Sequence, residues 1–149
     1  MQKDNTVERD LDLLKSYKEA LSQAHYPFLL SDVIECAIRK PAKRFYCATR
    51  GVYEAIQLIR KGVIPEYCSE ERERLVLDVH ERVLALEKRN PETSLKLLIE
   101  EVLDSPAPEF YLKKTSAIVI LHHIQKHARY IEMQKNKDRN ERMERRKNR

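Results

Sequence analysis

Apolar positions recur at three- and four-residue spacing along most of the chain, the signature of amphipathic helices rather than strands. The first stripe runs from about Thr6 to Gln23 through Leu11, Leu14, Tyr17 (or Lys18) and Leu21. Pro27 in "HYPF" closes it, because proline cannot continue a helix. A short helix holding Val33, Ile34, Ala37 and Ile38 is expected next, with Ser31 as its N-cap and a stop before Pro41. Thr49 is placed to cap a third, whose apolar face is Val52, Tyr53, Ile56 and Ile59 and whose end is marked by Gly62. After the linker "GVIPEYC", Ser69 followed by Glu70 and Glu71 opens a long helix with Leu75, Val76, Val79, Val83 and Leu86. Asn90-Pro91 reads as a cap and first-turn proline for a helix to about Leu103, which Pro106 and Pro108 break. The last helix is expected from near Phe110, its polar continuation being either helical or disordered.

The series contains its own echo. Sliding the chain by 65 residues sets Ile34 on Ile99, Glu35 on Glu100, Ile38 on Leu103, Ile56 on Leu121, Ile59 on Ile124 and Lys61 on Lys126. Pro41-Ala42 falls on Pro106-Ala107, and Phe45-Tyr46 on Phe110-Tyr111. Upstream, Leu11 meets Val76, Leu14 meets Val79, and Ala20-Leu21 meets Ala85-Leu86. One ungapped offset through three elements points to an internal repeat. The expected architecture is all-α, with two tandem three-helix units at 5–62 and 70–131, a linker at 63–69 and a basic extension at 132–149. Units this small are expected to share a core. In each, the Pro-Ala-x-x-Phe-Tyr corner stops the second helix, allows close backbone approach at alanine, and fills the gap before the third helix with an aromatic pair.

Charge separates the two copies. The net charge of +5 conceals a partition, with residues 1–38 at −3, 39–61 at +6, 62–112 at −6 and 113–149 at +8. Arg39, Lys40, Lys43 and Arg44 of the first corner become Asp104, Ser105, Pro108 and Glu109 in the second. Field follows local charge rather than the total, so the first corner is the expected anion-binding zone. A unit whose second and third helices meet at a corner resembles a helix-turn-helix, although this corner spans about eight or nine residues where the standard motif uses three or four. On that analogy Arg39, Lys40, Lys43, Arg44 and Arg50 would grip phosphate, with Thr49 at the helix start. Arg50, Glu54, Gln57 and Lys61 would face the bases, Gln57 being able to pair with adenine. Arg142, Arg145, Arg146 and Lys147 of the tail would add phosphate contacts, or else only solvate it.

Other chemistry is thin. Only two glycines are present, Gly51 and Gly62, which argues against a Gly-rich phosphate loop and against turn-rich sheets. Cys36, Cys47 and Cys68 lack Cys-x-x-Cys spacing, and the first two are expected as small core residues. His123 and His127 sit one helical turn apart without a fixed third ligand, and His80-Glu81 lacks the second histidine of a zinc-protease helix. Glu35 and Glu100 are expected to cap or to form a salt bridge to a neighbouring arginine rather than to work as an acid-base couple. Nothing assembles a nucleophile, base and oxyanion site, so no enzyme activity, cofactor or metal is expected. No apolar run reaches the length of a membrane span and no secretory leader is visible, so the default is a cytoplasmic protein with no membrane partner. The seam of Ala117, Leu121, Ile124, Ala128 and Ile131 is narrow enough to pack on the body or to pair two chains as a homodimer.

The stretch from Pro41 to Ile59, the Pro-Ala-x-x-Phe-Tyr box followed by an apolar helix, resembles one in small bacterial and prophage-type helical proteins. The resemblance implies a helical fold and a mobile-element setting, and carries no activity with it. The leading expectation is a nucleic-acid-binding protein, DNA ahead of RNA, using the first corner and the basic tail. The competing expectation is a non-enzymatic interaction or structural module that self-associates. A third helix of the first unit buried against the opposite unit would favour the latter.

Overall fold

The computed structural model describes residues 5–147 and is all-α. Its helices are α1 (Asn5–Gln23), α2 (Leu30–Arg39), α3 (Thr49–Arg60), α4 (Glu70–Arg89), α5 (Leu95–Leu103) and α6 (Lys114–Lys147). The expected elements are therefore present, with shifted ends. Leu29, in extended conformation, is the N-cap of α2 in place of Ser31, and its carbonyl takes the Asp32 and Val33 N–H groups. Ala48 precedes α3 without a side-chain cap, so Thr49 is its first residue rather than its cap. Asn90 ends α4, and a turn then hands the capping role to Ser94, whose Oγ accepts the Leu97 N–H at 3.4 Å. Ser69 caps α4 as expected, accepting the Arg72 N–H at 3.1 Å. Gly62 ends α3 with φ 81°, where its N–H donates to the Ile59 carbonyl and the Val63 N–H to that of Leu58. These two hydrogen bonds form the Schellman arrangement, which needs a residue free to enter the left-handed region.

The third helices cross over. α2 packs on α1 and α5 on α4, but α3 lies against α5 and α4, and α6 lies against α2 and α1. Val52 and Ile56 bury the inner face of α3, and Ala117 and Leu121 bury that of α6. One contiguous buried cluster consequently draws on all six helices, including Leu13, Ile34, Phe45, Val79, Leu98 and Leu121. Fully burying a side chain such as Leu13 or Phe45 contributes roughly 1.5–3 kcal/mol. An exposed ion pair contributes about 0–1 kcal/mol, so the hold is apolar.

The two corners meet at the centre. Ala42 and Ala107 form an antiparallel bridge, each N–H donating to the other's carbonyl at 3.0 Å. The Phe45 N–H donates to the Leu103 carbonyl at 3.1 Å, and reciprocally the Phe110 N–H donates to that of Ile38 at 3.0 Å. Phe45 stacks on Tyr111 and Tyr46 on Phe110, with ring centroids 5.7 and 6.3 Å apart. The alanines thus serve the close approach expected of them, between the corners and not within one. Because Phe110 is tied to Ile38 and Tyr111 takes a φ of 54°, α6 cannot begin at Phe110 and starts at Lys114. Arg82 of α4 clamps the junction: it donates to the Pro106 carbonyl at 2.6 Å and lies 5.0 Å over the Phe45 ring.

Polar residues take positions that an apolar stripe would leave unassigned. Leu11, expected inside, is 61% exposed, while Leu13, Asp12 and Ser16 are buried. Asp12 accepts the Lys43 N–H at 2.9 Å and the Tyr46 hydroxyl at 2.7 Å, and the Ser16 hydroxyl donates to the Ala37 carbonyl at 2.8 Å. On α4, Asp78 accepts the Tyr111 hydroxyl at 2.5 Å. The expected pairing of Leu11 with Val76 does not hold, since Val76 is buried. A shift of one more residue sets Leu13 on Val79, both fully buried, and Asp12 on Asp78, each of which accepts a tyrosine hydroxyl.

Candidate nucleic-acid interface

The first corner is less free than its local sequence suggests, because the fold brings carboxylates to it. Arg39, at the end of α2, donates to Glu35 at 2.9 Å. Arg44 lies 3.2 Å from Glu8 of α1 and 3.5 Å from Asp104 of the opposite corner. Arg50, in the first turn of α3, donates to Glu54 at 3.1 Å. Lys40 donates to the amide oxygen of Gln23 at 3.2 Å, a neutral partner. Lys43 and Lys61 are exposed and enter no ion pair among the described residues. Gln57 is turned to its own helix, donating to the Tyr53 hydroxyl at 2.8 Å.

Arg50, Glu54, Gln57 and Lys61 follow i, i+4, i+7, i+11 spacing and share the outer face of α3, opposite Val52 and Ile56. That face carries a carboxylate near its middle. Glu8, Asp12 and Asp104 come from elements remote in sequence, so no local reading of residues 38–61 could have found them.

The other basic zone is different. α6 is 34 residues long, about 50 Å at 1.5 Å per residue. Ala117 and Leu121 bury its start and Ile124 is half-buried, whereas Ala128 is exposed; the side chain of Ile131 lies outside the described residues. The first part of the expected seam is therefore spent on the body. From Gln125 onward every described side chain of α6 is exposed.

On this projecting half, Lys135, Arg139, Arg142 and Arg146 repeat the i, i+4, i+7, i+11 spacing and fall within about 60° of one face. None of the four enters an ion pair among the described residues. Arg145 and Lys147 lie off this row. Lys135 and Arg139 did not stand out in the sequence. Testing the tail for charge at helical spacing would have found them, once the tail was taken to be helical.

Other candidate groups stay apart. His122, His123 and His127 are exposed, and no group of three or more metal-binding side chains occurs among the described residues. Cys36 is exposed rather than in the core, because its turn of α2 faces outward between the buried Val33, Ile34 and Ala37. Cys47 is largely covered. Burial pushes its thiol pKa up against the opposing pull of Arg72, which leaves a poor nucleophile. Glu35 meets Arg39, the arginine bridge that was one of its two expected roles, and also lies 3.9 Å from Lys114 of α6. A cleft of about 630 Å³ beside it is lined by both signs of charge, with Arg74 and Glu109 paired at 2.7 Å across its wall. No helix among the described residues is long and apolar enough to cross a membrane.

No family model, curated protein or solved structure matches the chain.

Proposed function

We propose that the protein binds duplex DNA through the projecting half of α6. The observation that carries this reading is the row Lys135, Arg139, Arg142 and Arg146, four cations on one exposed helical face without an acidic partner among the described residues. Phosphate contacts supply most of the affinity of such a surface. The major groove of B-form DNA admits an α-helix while that of A-form RNA does not, which places DNA ahead of RNA.

The first corner becomes subsidiary. Lys40, Lys43 and Lys61 offer further phosphate contacts, whereas Arg39, Arg44 and Arg50 would first have to leave Glu35, Glu8 and Glu54. The helix-turn-helix analogy ends here, because α3 buries its apolar face on α5 and α4 of the opposite unit; that burial favours the competing interaction module, so the DNA reading rests on the α6 row alone. We read the chain as two related units, 5–62 and 70–131. What supports this is the mirrored pair Asp12–Tyr46 and Asp78–Tyr111, and the reciprocal bonding of the corners.

The test is binding to labelled random duplex DNA across a salt series. Each lost phosphate contact lowers the log–log salt slope by about 0.9. Neutralising the row (Lys135→Ala, Arg139→Ala, Arg142→Ala, Arg146→Ala) is expected to lower it by about 3–4 on that basis. Changing Lys40 and Lys43 to Ala is expected to lower it by less. Alanine at Lys43 keeps the backbone N–H that Asp12 accepts. Absence of binding at low salt, or unchanged binding by the row variant, would overturn the reading.

A further inference from the structure

Beside the cation row, α6 has an adjoining open face with a chemistry of its own. Glu132, Asn136 and Asn140 follow i, i+4, i+8 spacing, fall within about 80° of one another and centre about 90° round the helix from the row. All three are exposed. Lys137, also exposed and in no ion pair among the described residues, flanks the asparagines on their other side. Glu132 keeps this face from acting as a second phosphate-gripping row, since its charge repels the backbone. A helix seated in the major groove has phosphates along its flanks and base edges beneath it. The arrangement meets that geometry, with cations to either side and uncharged amides between them.

The fold does not use the asparagines. Asparagine is a weak helix former in a helix interior, and neither side chain has a hydrogen-bond partner among the described residues. A carboxamide carries a donor and an acceptor side by side. Adenine shows the complementary pair in the major groove, at its N6 amino group and N7. Asn136 and Asn140 are one helical turn apart, about 6 Å along the axis, while base pairs rise by about 3.4 Å. Two amides so placed reach adenines about two base pairs apart.

We propose that Asn136 and Asn140 make α6 sequence-selective, each reading one adenine in the major groove while the row grips phosphate. The assignment rests on the DNA reading above and adds base contacts to it, since phosphate contacts carry no sequence information directly.

Selection of bound duplexes from a randomised library by the full chain tests this, followed by competition between the selected duplex and random duplex. The selected sequences are expected to share two adenines about two base pairs apart. Asn136→Ala and Asn140→Ala should each lower the preference for selected over random duplex about tenfold, each at one of the two positions. Alanine is the stronger helix former, so neither change melts the helix. Replacing either adenine by 7-deazaadenine removes the N7 acceptor and should mimic the corresponding variant. Arg139→Ala, in contrast, should weaken binding to both duplexes alike and keep the preference. Binding without enriched adenines, or asparagine variants that keep the full preference, would overturn the base-reading role and leave the DNA reading standing. No binding at low salt would overturn both.

Discussion

Asp12 shows how much one buried carboxylate does here. It holds the first corner from α1 by accepting the Lys43 N–H and the Tyr46 hydroxyl, whereas Asp78 accepts the Tyr111 hydroxyl on the other side. Burial first, and then the bond to the aspartate, push both phenols well above the usual tyrosine value, so neither hydroxyl ionises at neutral pH. Stranding a buried donor costs about 1–3 kcal/mol. Asp12→Ala strands two donors and Asp78→Ala one. Because these bonds are part-buried and water can reach the freed donors, chemical denaturation should show a loss of about 1–2 kcal/mol for Asp12→Ala and about half of that for Asp78→Ala. Equal losses would mean that the Lys43 bond contributes nothing. Neither aspartate could be assigned by hydrophobic pattern, since a polar residue at a core position is invisible to it.

At the scale of elements, the α3–α4 contact is the place where pH acts. His80 of α4 is half-buried and its Nε2 has no hydrogen-bond partner among the described residues. Burial, and next the Arg60 guanidinium, lower its pKa below the usual 6.5, against the opposing pull of Glu87. Arg60 and Glu87 form an ion pair across the same contact. The unfolded chain takes up a proton at His80 before the folded one does. Its contribution to stability is thus fully present above pH 6.5 and is lost as pH falls through the lowered folded value. Urea midpoints measured from neutral to mildly acid pH should fall for the intact protein and fall less for His80→Gln. At Gly51 of α3 a Cβ would come 2.7 Å from the Arg72 Nη2, the far end of a flexible side chain that can move aside, so the position does not require glycine.

For the whole molecule, the crossover of α3 and α6 decides what can stand alone. The inner face of α3 is covered by α5 and α4, and that of α6 by α2 and α1. A single cut in the linker, where Val63 and Ile64 are exposed, should therefore leave two fragments that co-elute under native conditions. Separation without denaturant would mean that the crossover contacts are weak. The crossover also removes α3 from the role of a groove-reading helix in a free-standing unit, and leaves α6 as the element that projects.

The helices themselves, the stops at Pro27, Pro41 and Gly62, the cap at Ser69 and the burial of Phe45 and Phe110 were legible in the sequence, because each depends on a residue and its near neighbours. The Pro-Ala-x-x-Phe-Tyr frame was legible as structural, but its partner was not, since the bond between Ala42 and Ala107 joins positions far apart in the chain. The charge partition was equally plain, yet its meaning was decided by the tertiary structure. Coulomb interaction depends on distance in space, and folding set Glu8 and Asp104 against Arg44 while leaving Lys135, Arg139, Arg142 and Arg146 in solvent.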